Sequence, residues 1–289
     1  MTAGRRWLVV VRAGSLTTVQ DAGRPGLAHL AIPPSGALDR PAWRLANRLV
    51  GNPEDAAALE TTVTGVSLRA GVTCVVAVTG APAPVSVGGR AAGWGVPVAL
   101  QAGQLLEVGT ATAGVRSYVA VSGGIDVERV FGSRATDVLS GLGPPPLRDG
   151  CILPVGSTFG PVPAVDFAPY ALPAARLRLT LHPGPRRQWL SEAGMAALGT
   201  QTWSVSSESN RIALRLDGPP LERRDRLEEL PSEGVVVGGV QVPRDGLPLI
   251  FLADHPTTGG YPVVGVVDTD GVTACGQARP GTPISFELT

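Results

Sequence analysis

Short apolar runs broken by glycine or proline recur along most of this chain, and they set the expected architecture. Residues 7–12, 75–78, 85–87, 96–100, 105–108 and 118–121 read as strands. Residues 177–181, 212–216, 235–242, 249–252, 263–267 and 284–288 read the same way. Helical spacing is rarer. Ala42, Leu45, Ala46, Leu49 and Val50 recur at helical intervals behind Asp39, a candidate N-cap, with Pro41 in the first turn, and Gly51-Asn52-Pro53 ends the run. A short helical stretch is expected over 54–59, and a further helix over 188–198 that stops at Gly199. One turn device repeats: Arg69-Ala70-Gly71, Gln101-Ala102-Gly103, Arg148-Asp149-Gly150 and Arg279-Pro280-Gly281. Glycine there supplies a positive φ. The pattern predicts a mainly β protein of compact barrels, not an alternation of strands and helices.

Pro144-Pro145-Pro146 and the Pro/Ala-rich stretch 160–175 lack helix formers and backbone donors. They divide the chain into a first domain over 1–160, a linker over 161–175 and a second domain over 176–289.

Composition narrows the chemistry. The formal net charge is zero, so there is no basic excess to neutralise phosphates, and nucleic-acid binding is not expected. No run of eighteen apolar residues suggests a membrane span. The start of the chain leads directly into strand-like sequence without signal-peptide architecture. The three cysteines, Cys74, Cys151 and Cys275, are far apart, which suits reduced cytoplasmic thiols. No lysine occurs; all 24 basic residues counted as Lys or Arg are arginine. That excludes a Schiff base, a P-loop lysine and covalent biotin on this chain. An anion clamp must use arginine. His, Cys and carboxylates nowhere show metal-ligand spacing, so no metal site is expected.

Two polar segments hold most of the side chains able to do chemistry. The first, read as a loop, runs from Thr17 to Asp39 and contains Gln20, Asp21, Arg24, His29 and Ser35. Arg24 could bind a carboxylate or phosphate while Gln20 or Asp21 orients an amide; alternatively Asp21 holds a β-turn and Arg24 a surface ion pair. Asp39 reads better as a cap than as an acid or base. His29 is the most attractive proton carrier, with His182 and His255 its rivals. The second segment holds Gln241 and the Asp254, Thr257, Thr258 and Tyr261 cluster, whose Thr-Thr-Gly-Gly loop would suit an oxyanion or form a tight hairpin. Asn210 and Arg211 could grip an anion or form a turn. Glu60 and Glu233 are either a carboxylate pair or separate turn contacts. Ser122-Gly123-Gly124 reads as a turn.

These segments, in order, resemble the allophanate hydrolase subunit 2 or biotin-dependent carboxyltransferase family. The resemblance is carried by Thr17 and Val19-Gln20-Asp21 with Gly23-Arg24-Pro25-Gly26, by Ser35-Gly36-Ala37-Leu38-Asp39 and by Ala46-Asn47-Arg48-Leu49-Val50-Gly51-Asn52-Pro53. It continues through Ala58-Leu59-Glu60, Val121-Ser122-Gly123-Gly124-Ile125-Asp126, Gly132-Ser133-Arg134-Ala135-Thr136, Ser209-Asn210-Arg211, Ser232-Glu233-Gly234-Val235, Gln241-Val242-Pro243 and Thr257-Thr258-Gly259-Gly260-Tyr261-Pro262. Ala31, Pro144, Ala213 and Val237 depart from it, and these changes bear on loop shape.

The resemblance implies two cyclophilin-like β-barrel domains, each with a short helix. It implies the C component of an ATP-dependent 5-oxoprolinase, which opens 5-oxoproline to L-glutamate with partner components A and B, the B component resembling a kinase inhibitor. ATP would sit here, on a partner or at an interface. The family also includes biotin-dependent carboxyltransferase components acting on urea or a related amide, and proteins described as regulatory partners. With that resemblance, Asp21, His29 and Glu60 become the catalytic candidates. Gln20, Arg24, Ser35, Asn210, Arg211, Gln241, Asp254, Thr257, Thr258 and Tyr261 become the substrate-binding candidates.

Overall fold

Two β-sheets stack face to face in the first half of the chain, as described by a computed structural model of residues 6–164, 168–224 and 230–289. Residues 1–5, at the start of the sequence, and 165–167, within the expected linker, lie outside the described residues. The chain divides into two units, one of residues 1–24 and 35–173, the other of 25–34 and 174–289.

In the first unit the elements run β1 (Arg6–Arg12), β2 (Leu16–Gln20), α1 (Arg40–Leu49), β3 (Ala58–Thr62), β4 (Ser67–Ala70), β5 (Cys74–Gly80), β6 (Val85–Val87), β7 (Arg90–Ala92), β8 (Pro97–Leu100), β9 (Leu105–Val108), β10 (Arg116–Val121) and β11 (Ile152–Val155). One sheet has the order β11-β1-β4-β9-β6-β7, the other β2-β3-β10-β5-β8. Alternation along the second sheet explains the layering. Leu59, Val76, Val78, Val119 and Val121 join Leu8, Val10, Leu68, Leu106 and Leu153 of the first sheet in one core. Their neighbours Ala58, Ala77, Tyr118 and Ala120 face the other way, against Trp43, Leu45, Ala46 and Leu49 of α1. The small alanines allow the helix to lie close to the sheet.

α1 forms as the spacing predicts. Asp39 Oδ1 accepts from the Ala42 amide at 3.0 Å, and Pro41 sits in the first turn. Its end is tied down by two asparagines. Asn52 Nδ2 donates to Asn47 Oδ1 and to the Val121 carbonyl, and Asn52 Oδ1 accepts from Gly123 N. That accounts for both asparagines of the Asn47–Pro53 motif.

The expected helix over 54–59 does not form. Ala56 N bonds to Pro53 O in a turn, and β3 begins at Ala58 between β2 and β10. Both faces of β3 are buried, and burial overrides the helix preference of Ala, Leu and Glu. Nor is 17–20 a loop: it belongs to β2, with Thr17, Thr18 and Gln20 all buried. Three of the four repeated turns have glycine at positive φ, at Gly103, Gly150 and Gly281. Gly71 is the exception; a Cβ there would lie 2.1 Å from the Trp7 ring, so close packing excludes a side chain. Within the expected linker, Ala168 is buried among the α1 residues.

The second unit contains β12 (Leu177–Pro183), α2 (Glu192–Thr200), β13 (Trp203–Val205), β14 (Ala213–Asp217), β15 (Glu233–Gly234), β16 (Gly239–Gln241), β17 (Leu249–Phe251), β18 (Thr258–Gly259), β19 (Val263–Val267), α3 (Thr269–Cys275) and β20 (Pro283–Leu288). Seven strands close into a barrel in the order β12-β19-β16-β17-β14-β13-β20, with β20 running parallel to β12. The register sets Leu214, Ile250 and Val240 side by side, all buried. β15 and β18 form a separate two-stranded ribbon.

The helix expected over 188–198 is shorter and displaced. A 3-10 turn covers Arg187–Trp189, and α2 starts only after Ser191, whose hydroxyl accepts from Gly194 N at 2.9 Å. Gly199 lies inside it, where a Cβ would meet Leu288 at 2.8 Å. The strand expected over 235–242 shrinks to β16, because Gly238 turns the chain at φ 80°. α3 was not expected; Asp268 caps it by accepting from Gly271 N at 2.7 Å.

Candidate functional site

In the first unit, the residues around Gln20 form a buried polar knot. Gln20 ends β2 and donates from Nε2 to Thr18 Oγ1 and to the Thr136 carbonyl, each at 3.0 Å. Ser35 Oγ donates to the same carbonyl at 3.0 Å. Asp21 Oδ1 accepts from Gly23 N at 2.8 Å and Ser133 Oγ at 2.6 Å, while Oδ2 accepts from Arg134 N at 2.6 Å. Arg24 is 2% exposed and donates to the carbonyls of Ala135 at 2.5 Å and Val130 at 3.4 Å. Each side chain thus joins the 20–24 segment or Ser35 to the loop 130–136. The backbones meet as closely. Ser35 and Gly36 have φ of 52° and 97°, and a Cβ on Gly36 would lie 2.9 Å from Gly23 N. Glycine is required at 36 because nothing larger fits against that backbone.

Glu60 occupies a second buried network. Its Oε2 accepts from the Tyr118 hydroxyl at 2.7 Å and the Leu38 amide at 3.1 Å, and Oε1 lies 3.4 Å from Arg116 Nε. The Tyr118 oxygen accepts from Asp39 N at 2.7 Å. Burial, with the nearby Glu60 and Asp39 charges, raises the Tyr118 phenol well above its ordinary pKa. Asp39 Oδ2 in turn accepts from the Tyr170 hydroxyl, and the Tyr170 phenol is likewise raised, chiefly by burial. Asp39 is therefore a cap and a network member at once.

In the second unit, Arg211 and Asp254 form a bidentate pair, Nε to Oδ2 and Nη2 to Oδ1, both 2.9 Å. They are 1% and 0% exposed. Asn210 is exposed and turns the chain, its Oδ1 accepting from Ile212 N at 2.7 Å and Ala213 N at 3.2 Å. Gln241 Nε2 donates to Tyr261 O at 2.9 Å, fixing the loop that carries Thr257, Thr258 and Tyr261. The side-chain hydroxyls of those three make no hydrogen bond among the described residues. Thr258 and Tyr261 are exposed and Thr257 half-buried. Glu233, opposite Gly259 in the ribbon, is held by both guanidinium donors of Arg186. This pairing lowers the Glu233 pKa and raises that of Arg186. Glu60 and Glu233 thus each have an arginine partner within their own unit.

The histidines differ. His29 is exposed on a 3-10 turn, Ala28–Leu30, with its ring unbonded among the described residues. His182 Nδ1 lies 3.2 Å from Thr289 Oγ1. His255 is buried, with Nδ1 2.6 Å from the Pro256 carbonyl. Among the described residues no group of three or more His, Cys, Asp or Glu could hold a metal ion. No helix among them is long and apolar enough to cross a membrane.

Sequence reasoning missed Tyr118, Arg116, Ser133, Thr136 and Arg186, the partners of the residues it singled out. Only the Gly132–Thr136 motif offered a signal. The structure brings Gln20, Asp21, Arg24 and Ser35 together in one knot, and Arg211 and Asp254 into one pair. Ser122-Gly123-Gly124 is a turn, with Gly124 N bonded to Val121 O.

Comparison with known proteins sets this geometry in context. The carboxyltransferase domain family, subdomain A and B, is matched over residues 30–288. The chain is 39% identical to the C component of the Escherichia coli 5-oxoprolinase, over 96% of this chain and 90% of that protein. It is 30% identical to urea amidolyase of Lachancea kluyveri, over 96% of this chain but 16% of that enzyme. The crystal structure of the K. lactis urea amidolyase superposes with a TM-score of 0.89 at 28% identity, covering 99% of this chain and 19% of that one.

Proposed function

The chain belongs to the carboxyltransferase domain family, subdomain A and B, and on that premise we propose that it serves as the C component of an ATP-dependent 5-oxoprolinase. The observation that carries this reading is the match to the E. coli C component, which covers nearly the full length of both proteins. The urea amidolyases are similar only through a small part of a much longer chain.

The chemistry defines what such a component must supply. A lactam is a poor electrophile. Transfer of the γ-phosphoryl group of ATP to the carbonyl oxygen of 5-oxoproline improves it, releasing ADP. One water adds at the carbon, and the C–N bond breaks with a proton going to nitrogen. A second water cleaves the acyl phosphate to L-glutamate and phosphate. Negative charge develops on oxygen in these steps, and hydrogen-bond donors placed at that oxygen lower the barrier. The Thr257, Thr258 and Tyr261 hydroxyls make no hydrogen bond among the described residues and can serve as such donors. Arg24 and Arg211 already hold backbone carbonyls and Asp254 respectively, so their charges set loop geometry. ATP binding is shared with, or supplied by, the partner components A and B.

A second reading, a biotin-dependent carboxyltransferase component acting on urea, is favoured by the structural likeness to urea amidolyase. Substrate separates the two. The chain with its candidate partners is given 5-oxoproline and ATP, or urea with bicarbonate, ATP, a biotin carboxylase and a biotinylated carrier. Glutamate release in the first mixture and no carboxylated urea in the second is the expected result. The reverse outcome transfers the assignment to the second reading.

A further inference from the structure

The first unit has a cleft of about 450 Å³ that plays no part in the reading above. Its lining includes the Gly123-Gly124-Ile125 turn, Ala56-Ala57 and Gly156. Gly123 and Gly124 have φ of 104° and 70°, and a Cβ on Gly123 would lie 2.2 Å from the Gly156 carbonyl oxygen. Two strands of chain therefore meet at contact distance with no side chain between them. The volume falls within the range that holds small molecules, about 300–1,000 Å³.

The walls carry four charges. Arg134 is held in place: its amide donates to Asp21, Nε to the Val127 carbonyl at 2.7 Å and Nη2 to Asp126. That ion pair cancels itself and leaves Arg129 and Asp55. Both are exposed, and neither side chain has a partner among the described residues. Phe159 also lines the cleft, and it is 60% exposed. An unpaired guanidinium, an unpaired carboxylate and an uncovered aromatic ring on one small concavity suit a ligand with both charges and an apolar stem.

We propose that this cleft binds a small α-amino acid, its carboxylate on Arg129, its ammonium on Asp55 and its side chain against Phe159. The site lies wholly in the first unit and stands whether or not the chain serves a 5-oxoprolinase.

Calorimetric titration of the full chain with L-leucine and L-glutamate, and with their deaminated analogues 4-methylpentanoate and glutarate, tests this. Saturable binding of at least one amino acid at millimolar concentration is expected, stronger than that of its analogue. Arg129→Ala should weaken it tenfold or more. Asp55→Asn should erase the preference for the amino acid over the analogue without weakening the analogue's binding. Both positions are exposed, so an unchanged melting temperature shows that the fold is intact. Absence of saturable binding, or binding that neither variant alters, would overturn the proposal. So would sensitivity to Arg129→Ala alone, which would mean a simple carboxylate site.

Discussion

The Tyr118 hydroxyl donates to Glu60 Oε2 across 2.7 Å, and the same oxygen accepts from the Asp39 amide. One phenol therefore links β10 to β3 and to the start of α1. Tyr118→Phe removes the bridge and strands a buried amide and part of a buried carboxylate. A loss of about 1–3 kcal/mol is expected, measured by denaturant unfolding. Glu60→Ala should cost more, about 3–5 kcal/mol, because it leaves the Arg116 charge buried without its carboxylate. Equal stability of Tyr118→Phe and the native chain would show that the bridge contributes nothing.

The Arg211–Asp254 pair makes a sharper prediction. Arg211→Ala abandons a fully buried carboxylate, and about 3–5 kcal/mol should be lost. The double variant Arg211→Met, Asp254→Leu removes both charges and should recover most of that loss. Chemical denaturation of the two variants checks the ordering; a double variant less stable than the single one contradicts it.

Thiol reactivity follows from burial. Burial pushes the Cys74 thiol up to about 11 and the Cys275 thiol up to about 12, the latter helped by Asp268. Thiolate is the reactive form, so both should resist a thiol reagent at pH 8 until the chain unfolds, while half-buried Cys151 reacts first. The sign for stability is fixed by the same shift. Folded pKa values above the unfolded ones mean that the native state holds the protons longer. The contribution is complete below the unfolded thiol value of about 8.5. It is lost as pH rises toward the folded values of about 11 and 12. Unfolding midpoints should therefore fall above pH 9 and fall less in Cys74→Ala.

The uncommitted hydroxyls separate function from fold. Thr257→Val, Thr258→Val and Tyr261→Phe break no hydrogen bond among the described residues, so each should shift stability by less than about 0.5 kcal/mol. If these groups stabilise developing charge, at least one change should cost about 10²-fold in turnover of the assembled complex. Melting temperature and glutamate release, measured together, decide it. Full turnover in all three variants removes the loop from the reaction.

The parts of the fold legible in the sequence were those with local causes. α1 announced itself through Asp39, Pro41 and a regular apolar stripe, and most strands through apolar runs. β2 was hidden because Thr17, Thr18 and Gln20 are polar. Their burial is supported by partners such as Ala13 O and Thr136 O, the latter 116 positions from Gln20. β3 escapes local reading because Ala58 and Leu59 suit the end of a helix until both faces of the segment are covered. The candidate site suffered from the same blindness to distance. Asp21 and Arg211 stood out as chemical groups, but Ser133 lies 112 positions from the first and Asp254 lies 43 from the second. Both charges are committed, Arg211 to Asp254 and Asp21 to three hydrogen-bond donors. Asn210, whose partners are two and three residues away, behaved as its turn chemistry suggested.

The most direct test of the central assignment is glutamate release from 5-oxoproline and ATP by this chain mixed with its candidate A and B partners, each omitted in turn. The account predicts glutamate formed with ADP only in the complete mixture, and none when this chain is left out. Undiminished glutamate release without it would contradict the assignment.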